Sequence, residues 1–245
     1  MGRVLPILFN TEMVQAILDG RKNQTRRLIK PQPDYFYNCV MGRPFPVGGI
    51  HYSVRMPDKT ERSLEPRLKP DDVLYVRETW RVQSAHRFEA DARIEFKAGG
   101  LMSKVQFSGR CSDSHERPDY DDFIGKWGVN DKWHPSIHMP KEAARIFLRV
   151  TKVQPERLQD IAKEENKLLG EGIYRISCGI DSGRYTYKKY PNTGECWGDT
   201  LSCFKNGLWN STLNRSDLDK YGWDANPWVW VYMFEQIEND TILEV

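Results

Sequence analysis

Apolar positions along this chain gather into a few dense runs separated by long polar stretches. The run from Val4 to Phe9 has the length and composition of a strand, and Asn10 or Thr11 behind it can cap a helix by accepting from the first free N–H groups. Met13, Val14, Ile17 and Leu18 then fall on one helical face, and Gly20 supplies the stop. Val73-Leu74-Tyr75-Val76, introduced by the turn Pro70-Asp71-Asp72, predicts a buried strand that emerges at Arg77-Glu78. Within 144–151, Ile146, Leu148 and Val150 alternate onto one face of a further strand. Beyond Pro155, the spacing of Leu158, Ile161, Leu168 and Leu169 predicts a helix over about 156–169, ending near Gly170-Glu171-Gly172.

The last dense run, Pro227 to Glu235, carries Trp228, Trp230, Tyr232 and Phe234 on one side and Val229, Val231 and Met233 on the other. Neither side can face water along its full length, so the strand belongs in a closed barrel or between packed layers. Three stretches, 31–66, 81–135 and 173–208, show no sustained period and read as insertions. The expected fold class is therefore mixed α/β: a small β-barrel with flanking helices and long loop insertions, forming one elaborated domain over 1–245.

Composition narrows the partners more than the fold. The 36 Lys and Arg nearly balance 34 Asp and Glu, a formal net charge of +2, so attraction for phosphate must come from local clustering. Nowhere do 18 consecutive apolar residues occur, and the N-terminus lacks a signal-peptide pattern, so no membrane partner is expected. Five scattered cysteines without a CxxC pair point to a reducing compartment, and a cytoplasmic location is expected.

The strongest cluster is GRKNQTRR at 20–27, where Arg21, Lys22, Arg26 and Arg27, followed by Lys30, place five cations within ten residues. That is the best footprint for a phosphate or a polynucleotide backbone in an otherwise neutral chain. The plainer alternative is a solvated turn whose cations favour the end of the preceding helix. Lys22 and Thr25 stand three apart, close enough for an amine crowded by Arg21 and Arg26 to lose its proton and activate a hydroxyl.

ILDGRKNQTRRLIKP at 17–31, together with GEG at 170–172, resembles the ASCH domain family, whose barrel is similar to the PUA fold. KPDDVLYVRETW at 69–80, WHPSIHMPKEAARIFLRV at 133–150, LQDI at 158–161 and YGWDANPWVWVYMFE at 221–235 resemble its larger branch, associated with phages and prophages. The resemblance implies RNA binding or nucleoside chemistry in a bacterial or phage-infected cell. The small bacterial members that hydrolyse N4-acetylcytidine use a lysine as proton acceptor, a threonine three residues later as nucleophile and a glutamate as proton donor. Carried over, these roles fall on Lys22, Thr25 and Glu171, with Glu164 and Glu165 as neighbouring alternatives for the last.

The remaining candidates each have a duller role beside the functional one. Arg77 and Glu78 are expected at a cleft rim or as a structural ion pair, Trp80 as a base-stacking ring or a core cap, and Arg145 as a phosphate contact. His134 and His138 are bracketed by Pro135 and Pro140 and lack an HExxH arrangement, and Cys178, Cys196 and Cys203 lack zinc spacing. No metal and no cofactor is expected. Three readings follow: binding of a nucleoside or nucleic acid, with RNA favoured and DNA left open; hydrolysis of N4-acetylcytidine; and a phage accessory interaction protein without catalysis.

Overall fold

The computed structural model describes residues 2–40, 43–46, 50–100, 102–107, 118–177, 185–188 and 196–238. The five longest-range strands are numbered in chain order: β1 (Val4–Leu8), β2 (Gln24–Leu28), β3 (Val73–Arg77), β4 (Phe147–Arg157) and β5 (Trp228–Ile237). The chain forms two compact units, each assembled from separate segments. The first comprises Met1–Arg3, Ala16–Asp72 and Arg149–Glu235; the second comprises Val4–Gln15, Val73–Leu148 and Gln236–Val245.

In the first unit, β5 lies between β4 and β2, and pairs antiparallel with β2 in a register that sets Tyr232 opposite Thr25 and Val231 opposite Arg26. Directly opposed residues share a face, so Thr25, Arg27, Trp230 and Tyr232 point one way and Gln24, Arg26, Val229 and Val231 the other. Val229 and Val231 join Leu158, Ile161, Leu168, Ile173, Cys203, Phe204, Trp209 and Trp223 in a buried core. On the other side Trp230 meets Tyr52 and Trp228 meets Phe36, ring centroids 5.2 and 4.5 Å apart. This is why neither face of the strand tolerates polar residues.

In the second unit, β1 runs parallel to β3, from Val4 opposite Val73 to Leu8 opposite Arg77. Trp80–His86, Asp91–Phe96 and Ser103–Gln106 make an antiparallel three-stranded sheet. Its inner face, with Trp80, Val82, Ala92, Ile94, Phe96 and Val105, packs with Tyr75, Met139 and Phe147. Helix α1 (Thr11–Leu18) starts where Asn10 Oδ1 accepts from Met13 N at 2.8 Å.

Two expectations are corrected. Among the described residues no sheet closes into a barrel: β1 and β2 are edge strands. Closure needs those edges to pair, and an apolar strand is satisfied equally well between packed layers. The helix expected over 156–169 is instead the end of β4 through Arg157, a 3₁₀ stretch Leu158–Lys163, and a short helix α2 (Glu165–Leu169). Glu164 sits extended between the two, at φ −140° and ψ 107°. The stretches read as insertions are also built: 31–66 holds Tyr35–Phe36, Tyr52–Arg55 and Glu61–Leu64 as an antiparallel sheet, 81–135 holds the three-stranded sheet, and 173–208 holds the hairpin Tyr174–Ser177 with Tyr185–Lys188. Among the described residues, no helix is long and apolar enough to cross a membrane.

Candidate functional site

Helix α1 ends at Gly20, whose φ of +70° is the left-handed conformation that glycine adopts without a Cβ penalty. The N–H groups of Arg21 and Lys22 both return to the carbonyl of Ala16 at 2.9 Å, turning the chain sharply into β2. Lys22 then forms a single antiparallel bridge with Glu171, while Asn23 and Gln24 donate to the carbonyl of Gly170 at 3.1 and 3.3 Å. Both glycines around Glu171 ease this approach, Gly172 the more strictly. A Cβ on Gly170 would stand 2.6 Å from Asn23 Oδ1, and one on Gly172, at φ +99°, would stand 2.8 Å from the Ala16 Cβ.

The result is a buried cluster of charge. Lys22 Nζ donates to Glu171 Oε2 and to the Glu171 carbonyl, both at 3.0 Å. Arg26 Nη1 donates to the other carboxylate oxygen, Oε1, at 2.5 Å, and Nη2 donates to Glu156 Oε2 at 3.3 Å. Glu156 Oε1 in turn accepts from Gln154 Nε2 at 2.5 Å and from Lys167 Nζ at 3.3 Å. The side chains of Lys22 and Arg26 are 0% and 1% exposed, so no bulk water screens these contacts. Desolvation pushes the Lys22 ammonium below the usual lysine range; Glu171 opposes that shift, and the charges of Arg27 and Arg26 add to it.

Thr25 is buried too, 3% exposed, but on the opposite face of β2 from Arg26. It shares its face with Tyr232, whose phenol is pushed up to about 12 by desolvation, partly offset by hydrogen bonds from the backbone of Leu68 and Arg67. Arg27 on the same face is reached by solvent yet crowded enough that desolvation lowers its pKa, with Glu171 and Tyr232 acting in the opposite sense. Because β2 is an edge strand, Glu171 meets it from the side, where it touches Arg26 and acts electrostatically on Arg27.

The basic turn is thus less open than its composition implies. Lys22 and Arg26 are withdrawn into ion pairs. Arg21 holds Asp19 at 2.8 Å and the Gly172 carbonyl at 2.7 Å, and Lys30 lies 4.8 Å from the ring centre of Tyr221.

The other four candidates belong to the second unit. Arg77 donates to the Ile137 carbonyl and to the Tyr75 hydroxyl at 3.1 and 3.2 Å. Glu78 is no rim residue: it is 1% exposed, and Arg145 grips both of its oxygens at 2.9 and 2.8 Å. Burial raises the Glu78 pKa and Arg145 opposes the rise. Arg145 also lies 4.0 Å from the Phe96 ring centre, so its guanidinium is committed to the core rather than to a phosphate. Trp80 is 0% exposed, packed against Phe123, Trp127 and His134, and has no face left for a base. His134 and His138 lie on different elements, His134 in a bridge with Trp80 and His138 in a 3₁₀ turn. Cys178 lies outside the described residues.

Glu156 is the site residue that sequence reading misses. A helix beginning near 156 hides it, whereas in a strand Gln154 and Glu156 share a face. His86, Glu89 and Asp91 also offer ligand atoms within 4.8 Å of one another, but Lys104 already holds Asp91 Oδ2 at 2.7 Å and would oppose a cation there. An open cavity of about 730 Å³ in the second unit, lined by Arg81, Glu95, Phe96, Met102 and Asp131 among others, includes none of the sequence-derived candidates. Comparison with protein-family models, with curated proteins and with solved structures finds no match to the chain.

Proposed function

We propose that Lys22 and Glu171 form the centre of a nucleoside site that hydrolyses an acylated exocyclic amine, as in N4-acetylcytidine, after the manner of the ASCH proteins the sequence resembles. One observation carries this reading: a fully buried amine hydrogen-bonded at 3.0 Å to a buried carboxylate, three residues along the chain from a buried threonine. In so dry a place desolvation favours the neutral form of Lys22, an amine that can act as base, and Glu171 is the hydrogen-bonded neighbour to which the donor role falls. Neutral Lys22 takes the Thr25 proton as Oγ1 attacks the acetyl carbonyl. Glu171 protonates N4, the C–N bond breaks and cytidine leaves. The proton on Lys22 restores Glu171, and water cleaves the threonine ester to release acetate.

The ion pairing of Lys22, Arg26 and Arg21 favours a nucleoside-sized ligand over a long polynucleotide, because it leaves few cations of this turn to meet a backbone. Incubation of the pure protein with N4-acetylcytidine, with cytidine followed by chromatography, tests the proposal. Turnover that vanishes in Thr25→Ala and Lys22→Met supports it. No cytidine at high enzyme concentration overturns the hydrolase reading, and saturable binding of N4-acetylcytidine in that case leaves a nucleoside-binding protein in its place.

A further inference from the structure

We infer that Arg26 and Glu156 are a positioning pair that fixes which oxygen of Glu171 faces Lys22. This rests on the nucleoside-site reading of Lys22 and Glu171.

Arg26 stands in mid-β2 on the face away from Thr25, so it touches neither the nucleophile nor the acyl group placed there. Its guanidinium bridges two carboxylates, with Nη1 on Glu171 Oε1 at 2.5 Å and Nη2 on Glu156 Oε2 at 3.3 Å. Its Nε is buried with no hydrogen-bond partner. An arginine placed only for stability is better served by a bidentate fork that satisfies Nε, as Arg145 achieves on Glu78. Here the orientation of the group is set by its two carboxylates alone.

The geometry at Glu171 follows. With Oε1 taken by Arg26, Oε2 is the oxygen that meets Lys22 at 3.0 Å, and a carboxylate held at both ends cannot rotate. Glu156 is itself braced by Gln154 and Lys167. Its charge divides the pull of Arg26 between two anions. Without it, Arg26 is free to take both oxygens of Glu171, drawing the carboxylate away from Lys22. A displacement of about 1 Å at a reacting group costs on the order of 100-fold in rate.

The test uses Glu156→Gln in the full chain, with two readouts. The first is steady-state hydrolysis of N4-acetylcytidine: kcat falls about 10- to 100-fold while KM stays within about two-fold. The second needs no substrate. Titration of the Lys22 amine by NMR of ¹³Cε-labelled lysine, assigned with Lys22→Arg, moves to lower pH by about half a unit, because Glu171 leaves and the charges of Arg26 and Arg27 are less compensated. If wild-type protein shows no turnover, the hydrolase reading fails there, and the NMR arm alone judges the pair. A folded Glu156→Gln protein with wild-type Lys22 titration overturns the inference, as does unchanged kcat. Should that variant not fold, Arg26→Met with Glu156→Leu removes both charges together, an exchange buried ion pairs commonly tolerate. Its Lys22 titration rises as a like charge is lost and its kcat falls; a double variant matching wild type in both overturns the pair.

Discussion

Two buried carboxylates show how the same side chain is managed in opposite ways. Glu78 is desolvated more than Arg145 compensates, so its folded pKa lies above the ordinary glutamate value. Its ionised form is therefore a burden that grows as pH rises through the folded pKa. Removing Arg145 makes this worse by leaving an unpaired buried anion. Arg145→Met is expected to cost about 3–5 kcal/mol near neutral pH, and less at pH 5, where Glu78 can take up a proton. Urea denaturation at the two pH values checks both the size and the direction. Asp91 is the converse case. Hydrogen bonds from Lys104 and His86 hold its carboxyl down at about 2, against desolvation. The stability it contributes is present above the unfolded value, near 4, and is lost as pH falls toward about 2. Asp91→Asn should lower the thermal midpoint at pH 6 and flatten its fall between pH 4 and pH 2. A variant whose pH profile parallels wild type would remove Asp91 from the acid response.

At the scale of elements, the site depends on two glycines that look alike in sequence and differ in consequence. Both Gly20 and Gly172 have positive φ, but a Cβ at Gly20 meets nothing within 4 Å, whereas at Gly172 it meets the Ala16 and Lys22 side chains at 2.8 and 3.4 Å. Gly20→Ala should cost only the conformational strain, about 1 kcal/mol, and leave turnover close to wild type. Gly172→Ala adds overpacking, about 1–3 kcal/mol more, and should depress turnover because the clash pushes on Lys22 itself. Equal losses in the two variants would show that the close packing at Gly172 is not what seats the lysine. The elements legible in the sequence are those with a dense apolar run or a clear helical face: α1, β1, the strands at Val73–Arg77 and from Phe147, and the strand beginning at Trp228. Closure into a barrel was not legible, because it is decided by which edges pair and not by the apolarity of any one strand. The sheet at 80–106 was written in the alternation Ala92-Ile94-Phe96, but polar flanks and turns diluted it. Lys22 and Glu171, 149 residues apart, meet through backbone bridging around glycine. The residues that brace them, Arg26 and Glu156, were hidden for different reasons. Composition groups Arg26 with the other cations of the basic turn, and the apolar spacing from 156 reads as a helix where a strand in fact continues through Glu156.

At the scale of the whole molecule, cations and anions nearly cancel, and the positive charge is spent in pairs distributed over both units. In the turn that composition marks as the phosphate footprint, Lys22 and Arg26 face buried carboxylates, Arg21 faces Asp19, and Arg27 and Lys30 are the two with exposed side chains. Two cations set a ceiling on what this surface can do to a nucleic-acid backbone. Each neutralised phosphate of a single strand contributes a slope of about −0.7 to a plot of log affinity against log salt, so two contribute about −1.4. Binding of a single-stranded RNA oligonucleotide, followed by fluorescence anisotropy from 50 to 200 mM salt, should give a slope no steeper than about −2, flattened further by Arg27→Ala with Lys30→Ala. On the proposed nucleoside reading, the KM for a neutral nucleoside should stay level over the same salt range, because a neutral ligand gains little from screened surface charge. A slope of about −4 or steeper would require four or more phosphate contacts that this turn does not supply. It would move the nucleic-acid surface elsewhere on the molecule and leave Lys22 and Glu171 to be judged by their chemistry alone.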